Sequence, residues 1–240
     1  FNSLFFYINQ RLSMFLINKF ADQILTYETN IPKLRYIKKN DKRLKIVNCG
    51  LHFNRSQKIK KKKYKKIYDA IFIGRLQTIK GIYDLIKIWS EICKTDKSKK
   101  LCIIGEGIDK DNLKKRVGLL NLDKNIFFTG YLKDSYDPLR YLAKSKIFLL
   151  PSYEEAWAIV IGEAMAMKVP VIAYDLPELK TIWHKNVKFA RLGNTKMLKN
   201  SFLKLSQNKS LYDKYSSSAY KFVKKYDWAK IFEEELNLYL

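Results

Sequence analysis

From Tyr68 onward, short apolar runs alternate with longer segments of mixed polarity. The runs fall at 69–74, 100–104, 126–130, 147–150, 170–174 and 187–190 and are dense in Ile, Val, Leu and Phe. Each is four to six residues long, and predominantly apolar rather than strictly alternating, the pattern of a strand in a sheet covered on both faces. The intervening segments, 81–95, 110–120, 136–144, 158–167 and 178–184, predict helices. Strands separated by helices predict an α/β fold: a Rossmann-like parallel sheet with helices on both faces and right-handed connections. Ligands of such sheets bind beyond the carboxyl ends of the strands. Residues 195–240 carry no further strand pattern and predict two or three helices, the last at about Asp227–Leu240.

Before Tyr68 the pattern is less regular. Residues 2–20 predict an amphipathic helix bearing Phe5, Phe6, Phe15, Leu16 and Phe20. Ala21–Tyr27 predicts a short strand. Ile31–Lys39 predicts a helix with Pro32 in its first turn, where a missing N–H costs nothing. Lys45–Gly50 predicts a strand ending in a turn. Gln57–Lys66, read QKIKKKKYKK, has no apolar period and predicts a solvated linker. The sharper alternative is a phosphate- or membrane-binding stripe. No run reaches the roughly 18 apolar residues of a spanning helix. The first segment is broken by Asn9, Gln10, Arg11 and Asn18 and lacks the basic start and cleavage site of a signal peptide.

Length and composition narrow the classes. The 240 residues suffice for one large or two small domains, and a hydrophobic content of 47% supplies a full core. A net charge of +24 calls for an anionic partner: nucleic acid, an acidic membrane surface or a phosphorylated substrate. Part of that excess is a general lysine bias. No aromatic-glycine RNA motif, zinc-ligand set or helix-turn-helix accompanies it, which weighs against nucleic acid. Cys49, Cys93 and Cys102 are odd in number and not spaced as metal ligands, and His52 and His184 are too few for a zinc site. They read as reduced thiols and structural imidazoles of a cytoplasmic protein.

The chemistry gathers at Pro151–Val171, PSYEEAWAIVIGEAMAMKVPV. An apolar strand runs into a turn with Glu154 and Glu155, then into a helix predicted from about Ala158 to Met167. A helix start aims unpaired N–H groups at a ligand above the sheet, a site suited to phosphate. Glu155 and Glu163 are eight residues apart, roughly 12 Å of helical rise. That spacing fits a ligand with a phosphate in the middle and hydroxylated rings at both ends, and exceeds the about 5–9.5 Å of a glycosidase pair. Gly74-Arg75-Leu76-Gln77-Thr78-Ile79-Lys80-Gly81 follows the first strand of the sheet. An Arg fork and a Lys point charge in one loop suit a diphosphate. Gly105-Glu106-Gly107 and Thr129-Gly130-Tyr131-Leu132 close the next two strands.

Glu-x7-Glu followed by Ala-Met-Ala and Pro-Val, together with Gly-Arg-Leu and Lys-Gly at 74–81, resembles the retaining glycosyltransferases of family 4, which have the two-domain GT-B fold. The resemblance spans about Ala21 to the C-terminus. It implies a GT-B enzyme with its first domain incomplete. Residues 1–56 would be the tail of the N-terminal acceptor domain, 57–67 a basic linker, 68–226 the nucleotide-sugar-binding domain, and 227–240 a terminal helix crossing back to the first domain. It implies catalytic roles for Arg75 and Lys80 on the leaving diphosphate and for Glu155 on the donor sugar. It implies donor contacts from Gly74, Gly105, Glu106, Tyr131, Leu132, Ala158, Ile159 and Glu163, the last holding the ribose.

The implied reaction moves a sugar from a nucleotide-diphosphate sugar to a glycan or lipid-linked acceptor, with the donor as substrate, no cofactor and no metal. The implied location is cytoplasmic and peripheral on an anionic membrane surface. Two alternatives stand beside it: a non-catalytic nucleotide-sugar-binding half, self-associating through its first 20 residues, and a basic nucleic-acid-binding protein. The chain departs from the family at Ala156-Trp157-Ala158, where Gly-Phe-Gly is usual, and at Lys168, where Gly is usual. Lys168 would cost about 1 kcal/mol in a left-handed conformation.

Overall fold

The computed structural model describes residues 2–26 and 41–237, without the side chains of residues 2–7 and 10. The helix expected at 31–39, the end of the strand expected at 21–27 and the last residues, Tyr239 among them, lie outside the described residues.

All six strands expected after Tyr68 form one parallel sheet. They are β3 (Tyr68–Ile73), β4 (Leu101–Ile104), β5 (Ile126–Gly130), β6 (Ser145–Leu150), β7 (Val171–Tyr174) and β8 (Lys188–Ala190). Their order across the sheet is β5-β4-β3-β6-β7-β8. The intervening helices also form: α3 (Ile82–Thr95), α4 (Lys110–Leu119), α5 (Asp137–Ala143), α6 (Ile159–Ala166) and α7 (Pro177–Trp183). Two terminal helices follow, α8 (Thr195–Gln207) and α9 (Lys209–Val223), and then α10 (Trp228–Leu236). Helices cover both faces: α3 packs with α4 and α8, while α6 packs with α5 and α9. This double cover is why β4 and β7 are buried at every position. The chain builds outward from β3 to β5, then returns to lay β6 on the other side of β3. The crevice between the β3 and β6 carboxyl ends is therefore the topological switch point, the place where such sheets hold ligands.

The first 60 residues are built differently. α1 (Asn2–Phe20) leads to β1 (Ile24–Thr26), which pairs in parallel with β2 (Leu44–Ile46) in a two-stranded sheet. Among the described side chains of α1, the large apolar residues Ile8, Leu12, Phe15, Leu16 and Phe20 are all exposed. The basic run is not a linker from its start. α2 (Phe53–Lys60) is helical and buries Phe53, Ser56 and Ile59, packing on α5 and α6. At the other end of the run, the Lys66 ammonium donates to the Ser145 carbonyl at 2.6 Å, and burial pushes its pKa down to about 8.

α10 meets the early segment directly. Leu51 bridges Asp227, its N–H donating to the Tyr226 carbonyl at 2.7 Å, and Trp228 donates back to the Leu51 carbonyl at 3.0 Å. Trp228 lies so close to Gly50 that a β-carbon there would fall 2.3 Å from the indole. Among the described residues, no helix is long and apolar enough to cross a membrane.

Candidate functional site

Two loops enclose the switch crevice. After β3 the chain passes Gly74 and Arg75, makes one tight turn at Thr78–Lys80 and enters α3 through Gly81. After β6 it runs from Pro151 to Ala158 before α6 begins at Ile159. The loops are sewn together. Tyr153 N–H donates to the Ile79 carbonyl at 2.9 Å. The Lys80 ammonium donates to the Glu154 carbonyl at 3.1 Å and to Glu155 Oε1 at 2.8 Å. Gly81 sits at φ 65°, and a β-carbon on it would stand 1.7 Å from the Pro151 carbonyl oxygen. The two loops approach closely because this position has no side chain.

Below this seam lies a cleft of about 350 Å³ whose lining includes Cys49, Gly74, Lys80, Glu155, Ala158 and Ile159. α6 points its first turn into it, and the N–H groups of Ile159 and Val160 have no carbonyl to reach within the helix. A second cleft of about 420 Å³ continues past Ile73 and Gly74, which line both. Arg75, Gly105, Glu106, Tyr131, Leu132 and Pro138 complete it. Its walls are largely apolar, as a planar ring requires, with Glu106 at the rim. That carboxylate is held below its ordinary pKa by Lys110, 2.6 Å away, and by the Tyr131 N–H. Gly105 allows the close approach of β3 and β4 here: a β-carbon on it would meet the Gly74 carbonyl at 1.9 Å.

Ten of the eleven residues expected to form the site thus line these two connected clefts. Glu163 does not. It lies on α6 and faces Arg55 of α2. Burial pushes its carboxyl up to about 7, against the pull of the Arg55 guanidinium. The 12 Å separation inferred from helical rise fails for a local reason. α6 starts at Ile159, so Glu155 precedes the helix and helical rise does not set its distance from Glu163. Lys80 and Glu155, expected to face different parts of a ligand, are in contact as an ion pair. Arg75 is exposed and free of ion pairs among the described residues.

Of the three positions where glycine is usual, two are left-handed, Ala158 at φ 54° and Lys168 at φ 57°, and Ala156 is not. The residue between the two alanines explains how the loop is held. Trp157 is buried between Trp183 and Tyr226, with ring centroids 4.6 and 5.1 Å away, and Trp183 Nε1 donates to the Trp157 carbonyl at 3.1 Å. His184 is exposed at the end of α7 and His52 is exposed against Trp228, so neither joins the cleft. Cys49, Pro138 and Arg55 escaped the sequence reading. No motif marks them, and only the tertiary fold carries Cys49 and Arg55 from the early segment to the site.

The sequence model described as "Glycosyl transferases group 1" matches residues 53–222. The poly(ribitol-phosphate) alpha-N-acetylglucosaminyltransferase of Staphylococcus aureus is 30% identical over 171 residues, which cover 70% of this chain and 34% of that enzyme. The chain spans less than half the length of this and other curated relatives it matches. Among solved structures, a mutant of S. aureus TarM in complex with fondaparinux, alpha-GlcNAc-glycerol and UDP aligns with a TM-score of 0.79 at 24% identity, over 95% of this chain and 46% of that one. The C-terminal domain of the group 1 glycosyl transferase LpcC from Francisella tularensis aligns at 0.60 and 26% identity, over 73% of this chain and 94% of that domain. The fold is that of the GT-B glycosyltransferases.

Proposed function

This chain belongs to the group 1 glycosyl transferases, and we propose that it serves a retaining, metal-independent transfer of a hexose from a nucleotide-diphosphate sugar to a glycan or lipid-linked acceptor, as family 4 enzymes do. The observation that carries this reading is the pair of connected clefts at the switch point, one largely apolar and one bearing Lys80, Glu155 and the start of α6. The base and ribose would occupy the cleft of Tyr131, Leu132 and Pro138. The diphosphate would cross Gly74, where the two clefts join, and the sugar would lie against Glu155.

As the bond from the anomeric carbon to the diphosphate breaks, negative charge grows on the leaving oxygen. Arg75, Lys80 and the N–H groups at the start of α6 are the cations and dipoles nearest that path. Lys80 already holds a carboxylate, so an arriving phosphate would share its ammonium with Glu155 and orient both. Glu163, which lines neither cleft, would accept from the ribose hydroxyls by turning away from Arg55.

A second reading, donor binding without turnover by this chain alone, is favoured by the short share of its relatives that the chain covers. Calorimetric titration with nucleoside diphosphates tests the clamp common to both. Arg75→Ala and Lys80→Ala should each weaken binding about tenfold or more, since a hydrogen bond to a charged group contributes about 1.5–3 kcal/mol. The free nucleoside should bind as before. Unchanged diphosphate affinity in both variants would sink the proposal, and turnover of a nucleotide sugar by the chain alone would eliminate the second reading.

A further inference from the structure

A second concentration of charge lies away from the clefts, where α2, the far end of α6 and the end of α9 meet at Tyr220. The Lys60 ammonium is 3.7 Å from the centroid of the Tyr220 ring, and those of Lys168 and Lys224 are each 5.1 Å from it. Some lysines are matched to carboxylates, as Lys80 is to Glu155, Lys146 to Asp69 and Lys199 to Glu91. These three have no carboxylate partner among the described residues. The adjoining sequence offers none: residues 57–67 hold seven Lys and no Asp or Glu, and residues 214–226 hold four Lys and no Asp or Glu.

The cluster is also partly withdrawn from water. Lys60 is half-buried, and burial holds its ammonium below the ordinary lysine range, with Lys168 and Lys224 adding to that effect against a hydrogen bond to Tyr220. Gln57 completes the group. Its Oε1 accepts from the Tyr220 hydroxyl at 3.3 Å, while its buried Nε2 has no partner among the described residues. The Tyr220 hydroxyl serves Lys60 as a neutral acceptor, but no anion meets the three like charges among the described residues. A half-buried cation without a counter-ion is a costly arrangement.

We propose that Lys60, Lys168 and Lys224 form a phosphate-binding site over Tyr220, separate from the donor clefts. A tetrahedral phosphate offers an oxygen to each ammonium, which a planar carboxylate with two oxygens does not. Lys168 lies beyond the far end of α6, whose first turn lines the donor cleft. About 12 Å of helix separates the two ends, so one diphosphate cannot serve both. The phosphate comes either free in solution or as the headgroup of an anionic lipid. The exposed Lys61, Lys62, Lys63 and Lys65 follow Lys60 directly in the chain and suit either source.

The test uses the whole chain in two variants: Lys60→Gln/Lys168→Gln/Lys224→Gln, and Arg75→Ala/Lys80→Ala to remove the donor-cleft cations. Inorganic phosphate is titrated and followed by its phosphorus resonance, and co-sedimentation is measured with phosphatidylglycerol and with phosphatidylcholine vesicles. Circular dichroism checks that both variants fold. In the cleft variant phosphate binding should persist, and in the triple glutamine variant it should fall about a hundredfold. Retention on phosphatidylglycerol but not phosphatidylcholine, lost in the same glutamine variant, identifies the source as lipid headgroups. Phosphate binding without such retention identifies a soluble phosphate. Phosphate and vesicle binding both unchanged in the triple glutamine variant would overturn the site.

Discussion

The loop after β3 and the segment from Glu155 to Lys168 face each other across one crevice and meet the same backbone demand in opposite ways. The first places a glycine, Gly81, at its left-handed position; the second places Ala158 and Lys168 at theirs. The difference is space. At Gly81 a β-carbon would stand 1.7 Å from a carbonyl oxygen, closer than any non-bonded contact allows. At Ala158 and Lys168 the chain already carries a β-carbon, so only the torsional cost of about 1–2 kcal/mol is felt. Glycine is compulsory where the backbone of another loop fills the side-chain position. It is replaceable where the conformation alone is strained.

The largest effect therefore belongs to Gly81→Ala. Forcing a β-carbon against Pro151 must part the two loops or shift the start of α3. Overpacking and left-handed strain together predict a loss of about 3 kcal/mol or more in unfolding free energy. Urea unfolding monitored by circular dichroism reads it directly. Nucleotide-diphosphate binding should fail in the same variant, because Lys80 directly precedes Gly81. A loss below about 1 kcal/mol would show that the seam yields and would dissolve the contrast between the loops.

The two sides also differed in how far the sequence foretold them. The central strands β4, β6 and β7 were legible because they are buried on both faces, which writes an unbroken apolar run such as Ile147–Leu150. The Arg75–Lys80 loop was legible because its glycines and cations are consecutive. α2 was not: its buried face is only Phe53, Ser56 and Ile59, and the lysines interleaved with Ile59 hide the period. The start of α6 was read to within one residue, about Ala158 against Ile159; the misstep was to extend helical rise back to Glu155, which the same reading placed in the preceding turn. The Lys80–Glu155 pair and the Arg55–Glu163 neighbourhood join residues 75 and 108 positions apart, and no local pattern encodes such meetings.

Glu163 sharpens the comparison on the α6 side through pH. Its folded pKa of about 7 lies above the ordinary 4.5, so the folded chain holds the proton more tightly than the unfolded chain does. The contribution of this group to stability should therefore be greatest below pH 4.5, decline as pH rises to about 7, and level off above it. Glu163→Gln should abolish the decline and leave the chain more stable than the native one above neutrality by about 1–2 kcal/mol, part of the full pKa difference being screened by solvent. If ribose hydroxyls donate to this carboxylate, nucleotide binding below pH 7 releases a proton. Calorimetry in two buffers of different ionisation enthalpy detects it. Proton uptake instead of release, or a stability profile unchanged by the substitution, would remove Glu163 from the ribose.

The smallest effect is the one that separates strain from function most cleanly. Lys168 carries a left-handed backbone at the far end of α6 and an ammonium in the Tyr220 cluster. Glycine at that position relieves about 1–2 kcal/mol of strain but gives back about 0.4–1 kcal/mol in unfolded-state entropy. Lys168→Gly should thus raise stability by only about 0.5–1 kcal/mol, with a further small gain from removing one of three mutually repelling charges. Lys168→Gln removes the charge and keeps the strain, so the difference between the two variants in urea isolates the backbone contribution. Phosphate binding should weaken equally in both. A chain in which Lys168→Gly is less stable than Lys168→Gln would mean that residue 168 is not strained, and the rule drawn from Gly81 would then rest on that loop alone.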